Sequence, residues 1–285
     1  MGIDEFYAVM LENRKDKSNY GDIVFGEVES TNLDECVNLW KLYFSELSST
    51  TGEEHNDYVK MKNMYEESKL ETDNIKCNPI TEEEVLQHIK SLKIKKSPGI
   101  DCVSNEHLKY GGKYLIRHLI ALFNYMIQFE YLPNVYRCGM IIPIYKQNGK
   151  DKKDPVNYHG IALTSCLGKL FEKILMTRIQ KYLDKKNFPH PYQFGFRKEA
   201  GAISAAFTLQ ECLIHYTNHN SNVYAVFLDN EKAFDRLWHC GLLEKLKKLG
   251  INAKIWRIIA HSYTQSSACV ACRGCISNTF PLRKC

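Results

Sequence analysis

The sequence predicts an α+β protein, largely helical with short antiparallel strands, and three observations carry that prediction. Residues 114–130 and 167–182 repeat apolar side chains at three- and four-residue spacing, the period of a helix with one buried face. Gly139–Tyr145 and Val223–Leu228 are short, almost continuous apolar runs of the kind that buried strands show. Turn-forming residues stand between these segments, as at Ser97-Pro-Gly and Pro189-His-Pro.

Composition sets outer bounds. With 285 residues, 44% hydrophobic and 25% charged, the chain has the make-up of a folded protein and enough length to bury a core. No apolar run approaches a membrane span, and Asp4 and Glu5 stand where a secretory leader would be basic and then apolar. An intracellular, reducing location without membrane contact is therefore expected, nucleus and cytoplasm not being distinguished. The 11 cysteines, an odd number at irregular spacing, read there as free thiols.

Along the chain, Leu39, Trp40, Tyr43 and Phe44 form a compact apolar cluster on a helix at 33–47, and the polar stretch 48–74 reads as a linker. Thr81-Glu-Glu-Glu84 is a capping box that opens a helix running to about Lys93, with Val85, Ile89 and Leu92 on one face. Leu115, Leu119, Leu122, Phe123, Met126 and Ile127 line the next helix, which Pro133 closes. Gly139–Tyr145 then pairs as a hairpin with Tyr158–Thr164 across a basic loop. A helix over 167–182 follows, then one over 202–216, a strand at 223–228, and helices at 231–249 and 253–264 separated by Gly250. The expected organisation is an acidic, partly disordered N-terminal connector (1–75), an extension with the central helices and hairpin (76–220), and a last part (221–285).

Charge is unevenly spread. Residues 1–75 hold 7 Lys+Arg against 17 Asp+Glu, and residues 76–285 hold 31 against 16. A polyanion is drawn to the second part, most strongly around Lys146–Lys186, by phosphate neutralisation and counterion release. A solvated lysine-rich face is the alternative on charge alone.

Four motifs carry more. They are Lys95-Lys-Ser-Pro-Gly-Ile-Asp101 with His107-Leu-Lys-Tyr110; Ile142-Pro-Ile-Tyr-Lys146, running on through Asn157-Tyr-His-Gly-Ile-Ala-Leu163 to Gly168-Lys-Leu-Phe-Glu172; Gln193-Phe-Gly-Phe-Arg197; and Phe227-Leu-Asp229 with Lys232-Ala-Phe-Asp235. In this order they resemble the N-terminal extension, fingers hairpin, second fingers motif and first palm motif of the reverse transcriptase of a LINE-type non-LTR retrotransposon. The resemblance runs from about Leu39 to the last residue. It implies a right-hand polymerase fold with fingers and the N-terminal part of the palm, the thumb and later palm strands missing.

The resemblance also implies an RNA-directed DNA polymerase with an RNA template, a DNA primer and dNTPs as partners and Mg²⁺ as cofactor. A hard ion of this kind takes oxygen ligands. Asp229, delivered by an apolar run, is the implied catalytic and metal-binding carboxylate, and the carbonyl of Asn230 a second ligand. An isolated strand-Asp-helix pattern is also that of a helix N-cap, and position within four registered motifs is what favours the metal role. Asp235 reads as a local ion pair or cap. Phe234 resembles the gate that excludes a ribose 2′-hydroxyl, with a core aromatic as the alternative. Lys146, Lys150, Lys152 and His159 are implied on the nucleotide, and Gln193 and Arg197 on template or primer.

Several positions depart from the pattern. His159 stands where the family has a basic residue, and a largely neutral imidazole is a poorer partner for triphosphate oxygens than a guanidinium. Glu199 replaces a common glycine with a negative charge. No Asp occurs in 236–285, so the Tyr/Phe-x-Asp-Asp hairpin that supplies the remaining carboxylates is absent, and the chain by itself is expected to be inactive. A non-catalytic RNA- or DNA-binding derivative is the alternative function. A phosphatase with an aspartate nucleophile is a third reading, disfavoured because position 231 is Glu where such sites want Asp. Cys269, Cys272 and Cys275, with Cys285 beyond, have spacing that fits neither ferredoxins nor the usual zinc arrays. Residues 268–280 are expected instead to form palm-edge strands around Gly274, the cysteines acting as small apolar fillers.

Overall fold

The computed structural model describes residues 23–26, 28–30, 32–49, 53–71, 76–146, 149, 151–197, 199–229 and 237–283. They fall into two compact units, 1–174 with 238–285 and 175–237. No helix among the described residues is long and apolar enough to cross a membrane.

In the larger unit a two-stranded ladder, β1 (Val24–Phe25) and β2 (Val28–Glu29), precedes helix α1 (Leu33–Leu47). Asn32 caps α1 by accepting from the Glu35 N–H at 2.9 Å, and Asp34 and Glu35 place negative charge where the helix dipole favours it. The face carrying Cys36, Leu39, Trp40 and Phe44 is buried against a sheet whose central strands come from the middle of the sequence and from near its end. In that sheet β3 (Cys138–Tyr145) pairs antiparallel with β4 (Tyr158–Leu163) and parallel with β5 (Ser267–Cys272), while β5 also holds β6 (Cys275–Ile276) and β7 (Phe280–Pro281).

The Trp40 and Tyr158 rings meet edge to face at 4.8 Å in this core, with Ala268, Val270 and Phe280. At Gly160 a Cβ would lie 2.6 Å from Phe44 Cε1, so the absence of a side chain there lets α1 lie on the hairpin. The pair of strands expected around Gly274 forms as β5 against β6. One expectation is corrected here: the strands are not all antiparallel, because β5 joins the sheet of the 138–163 hairpin through a parallel pair with β3.

The stretch 48–74, expected as a linker, contains an 18-residue helix, α2 (Glu53–Leu70). Its Met61 and Tyr65 are buried against Cys240, Leu243, Trp256 and Ala260 of α8 (His239–Lys248) and α9 (Ala253–Thr264). Few apolar residues are needed to pin a helix between two others, which is why its polar sequence concealed it. The Tyr58 hydroxyl donates to the Thr264 carbonyl at 3.0 Å, and Lys60 meets Glu244 at 2.5 Å.

The capping box forms as expected at the start of α3 (Glu82–Lys90): the Glu84 N–H donates to Thr81 Oγ1 and the Thr81 N–H to Glu84 Oε2. A short α4 (Asn105–Tyr110) and the long α5 (Gly112–Gln128) follow. α5 buries Leu119, Phe123, Met126 and Ile127, and Phe123 meets Phe171 of α6 (Cys166–Asp184) with ring centroids 5.2 Å apart.

The smaller unit contains the end of α6, the 185–201 connection, α7 (Ala202–Asn218) and the segment to residue 229. α7 forms where periodicity placed it but buries none of its residues. The strand expected at Val223–Leu228 does not form. Val226 is 83% and Leu228 93% exposed, and no described strand pairs with the segment. A central strand exists only through hydrogen bonds to neighbours on both sides, so a strand-like composition without those neighbours stays unpaired.

Candidate nucleotide and nucleic-acid site

In the larger unit the Lys95–Asp101 motif is a turn clamped onto the start of α6. The Ser165 hydroxyl donates to Asp101 Oδ2 at 2.6 Å and accepts from the Gly168 N–H at 3.2 Å, so one side chain both caps the helix and fastens the turn. Gly99 is buried so closely against this junction that a Cβ would lie 2.7 Å from Ser165 N and Thr164 C. The Lys95 N–H donates to Glu106, whose carboxyl is thereby held below its ordinary range, and Asn105 Nδ2 donates to the Lys93 carbonyl at 2.8 Å. Nearby Tyr136 has its phenol pushed up to about 12 by burial and by the Asp101 charge.

The hairpin forms between the expected segments, with Tyr145 opposite Tyr158 and Ile144 opposite His159. Tyr158 is buried in the core and the next residue alternates to the other face, leaving His159 exposed. Lys146 leaves β3 with its ammonium donating to the Val156 carbonyl at 2.6 Å, and Lys152 Nζ stands 5.7 Å from the Tyr145 ring centroid. Lys153 pairs with Glu29 at 2.5 Å. Lys146, Lys152 and His159 thus share one hairpin, whereas Lys150 lies outside the described residues. Both lysines are held in place by neighbours, which orders the hairpin and leaves their positive charge in solvent.

In the smaller unit Gln193 and Arg197 are exposed on one turn. Arg197 Nη1 donates to the Pro191 carbonyl at 2.8 Å, and the Gln193 N–H to the His190 carbonyl at 2.9 Å. Phe196 between them is 91% exposed at φ +60°, a left-handed backbone that a bulky residue seldom adopts. Asp229 ends the apolar run exposed, with no hydrogen bond or ion pair to another described residue. Asn230, Phe234 and Asp235 lie outside the described residues.

The donor set does not by itself fit a bound metal ion. No group of three or more His, Cys, Asp or Glu able to hold one occurs among the described residues, and one carboxylate leaves most of a Mg²⁺ octahedron to other ligands. The 269–275 cysteines form no metal cluster either. Cys269 is buried against Cys138, and Cys272 packs on the core that contains Cys36; burial raises both thiols, and for Cys272 a hydrogen bond with Cys36 contributes most. Such thiols are poor nucleophiles. Sequence reasoning missed Arg137, which lies outside the four motifs and organises a cavity described below.

Residues 150–278 match the family described as reverse transcriptase (RNA-dependent DNA polymerase), so that this span is a reverse transcriptase domain. Several relatives that the chain matches are named as polymerases of mobile elements. It is 35% identical over 60% of its length to the Drosophila melanogaster protein named "Probable RNA-directed DNA polymerase from transposon BS", covering 19% of that protein. It is 29% identical over 71% of its length to "RNA-directed DNA polymerase from mobile element jockey" of Drosophila funebris, covering 22%. A third relative, the jockey polymerase of Drosophila melanogaster, is 31% identical over 60% of this chain and 18% of its own length. The chain spans about a fifth of the length of these relatives.

Proposed function

We propose that this chain is the fingers and first palm segment of an RNA-directed DNA polymerase from a non-LTR retrotransposon, and that it contributes template and nucleotide contacts together with one of the carboxylates of the reaction centre. The observation that carries this reading is that the family match encloses Asp229, an exposed carboxylate at the end of an apolar run with no bond to another described residue. An aspartate with no bond to another described residue is available to a cation that other ligands complete. Mg²⁺, when bound, would neutralise triphosphate charge and activate a primer hydroxyl.

The residues of this chain do the rest by position and charge. Lys146 and Lys152, fixed on the hairpin, present point charges to phosphate oxygens, with Lys150 in the same loop. His159 adds a hydrogen-bonding imidazole on the same strand pair. Gln193 and Arg197 offer donors to template or primer, and Phe234 an aromatic wall beside the sugar.

These 285 residues are expected to bind RNA in a salt-sensitive way and to extend no primer. Primer extension with an RNA template, Mg²⁺ and dNTPs tests this. Processive product that disappears on Asp229→Ala would show that the chain completes its own centre, against the proposal. RNA binding that shows no salt dependence would remove the basic hairpin as an electrostatic contact.

A further inference from the structure

A cavity of about 450 Å³ in the larger unit lies outside the four motifs. Its lining includes Asn134, Val135, Arg137, Gln265, Ser267 and Thr279, with no carboxylate. Arg137 is half-buried, and the loss of water around its guanidinium works against the charged form. Its bonds go only to neutral oxygens: Nε donates to the Leu132 carbonyl at 3.2 Å, Nη1 to the Gln265 carbonyl at 2.6 Å, and Nη2 to Asn134 Oδ1. Arg137 makes no ion pair among the described residues, and one N–H on each Nη is left over.

One amide of the lining is oriented by an internal bond. Asn134 spends its oxygen on Arg137, which leaves its NH₂ as donor. Gln265 gives its main-chain carbonyl to Arg137 and brings a side-chain amide to the lining. Ser267 and Thr279 add hydroxyls. A guanidinium with no ion pair among the described residues, two side-chain amides and two hydroxyls line a cavity whose lining residues include no carboxylate.

We infer that this cavity binds a phosphate group, either a free phosphate compound or a phosphodiester of a nucleic acid strand. Partial burial strengthens the attraction between guanidinium and anion, and the ring of neutral donors satisfies several phosphate oxygens at once. The nucleic-acid source rests on the polymerase reading, whereas binding of free phosphate does not.

The test uses the full chain and two variants that place a carboxylate in the wall while leaving the Arg137 bonds intact, Thr279→Asp and Val135→Asp; both positions are exposed, so folding tolerates them. Thr279→Asn is the neutral control. Melting temperature is measured in inorganic phosphate against chloride at matched ionic strength. The expected result is a rise with phosphate in the parent and in Thr279→Asn that is lost in both Asp variants. Anisotropy of a labelled single-stranded RNA over a salt series separates the sources. A slope reduced by about 0.7 in the Asp variants identifies a nucleic-acid phosphate, and an unchanged slope with retained phosphate protection of the parent identifies a free compound. Absence of phosphate protection in the parent, or its persistence in both Asp variants, overturns the inference.

Discussion

Substituting Gly99 by alanine tests whether the Lys95–Asp101 motif works by close backbone packing against the start of α6. The added Cβ would lie 2.7 Å from Ser165 N and Thr164 C and 2.9 Å from Thr164 O. These are main-chain atoms, so no rotamer change relieves the contact. Restoring ordinary carbon contact requires the turn to withdraw by roughly 0.7 Å, and a 2.6 Å Ser165–Asp101 hydrogen bond stretched by that amount lies at the edge of bonding. Overpacking of this kind costs about 1–3 kcal/mol and a weakened bond to a carboxylate about 1.5–3 kcal/mol, so a loss of about 3 kcal/mol is expected. Equilibrium urea unfolding followed by circular dichroism measures it. Because Gly99→Ala and Ser165→Ala would damage the same bond, the double variant is expected to lose about 1–2 kcal/mol less than the sum of the singles. A Gly99→Ala chain within about 0.5 kcal/mol of the parent, or strict additivity with Ser165→Ala, would refute the reasoning.

Three further outcomes are expected. Arg257 is buried, donates from Nη1 to Glu130 Oε1 at 2.8 Å and from Nη2 to the Glu71 carbonyl at 3.2 Å, and has an unpartnered Nε; Glu130→Gln is expected to cost about 2–3 kcal/mol in urea unfolding, below the full cost of breaking a buried pair because the Glu130 side chain is 21% exposed, with Arg257→Met recovering part of it in the double variant. His261 and His239 are both held below the ordinary imidazole value of 6.5, chiefly by burial and for His261 also by the Arg137 charge. The unfolded chain therefore takes up protons first on acidification, and melting temperature should fall as pH drops from about 7 to about 5, less steeply in His239→Phe, whose ring keeps the stack on Tyr263 at 4.3 Å. Met61→Ala on α2 should cost about 2–4 kcal/mol in the same unfolding assay, and a cost under about 0.5 kcal/mol would return α2 to the linker expected from its composition.

The legibility of this chain followed the range of the interactions involved. The capping box at Thr81 and Glu84, the helix faces of 112–128 and 166–184, and the β3–β4 hairpin are local patterns, and each formed where its residues placed it. α2 was not legible, because Met61 and Tyr65 signal a helix only once α8 and α9 are there to receive them. The parallel β3–β5 pair joins residues about 130 positions apart, a register no local pattern specifies. Arg137 became visible only through the cavity that its guanidinium lines, since no spacing marks it.

By itself, the sequence pointed to the family that residues 150–278 match and singled out Asp229 as the carboxylate proposed for the site, because registered motifs record which residue types such chemistry needs. Tertiary structure alone decided how those motifs are held: Gly99 against the α6 junction, α1 on the hairpin at Gly160, and β5 beside β3. It also decided that Val223–Leu228 stays unpaired, since a strand is a property of its neighbours as much as of its own residues.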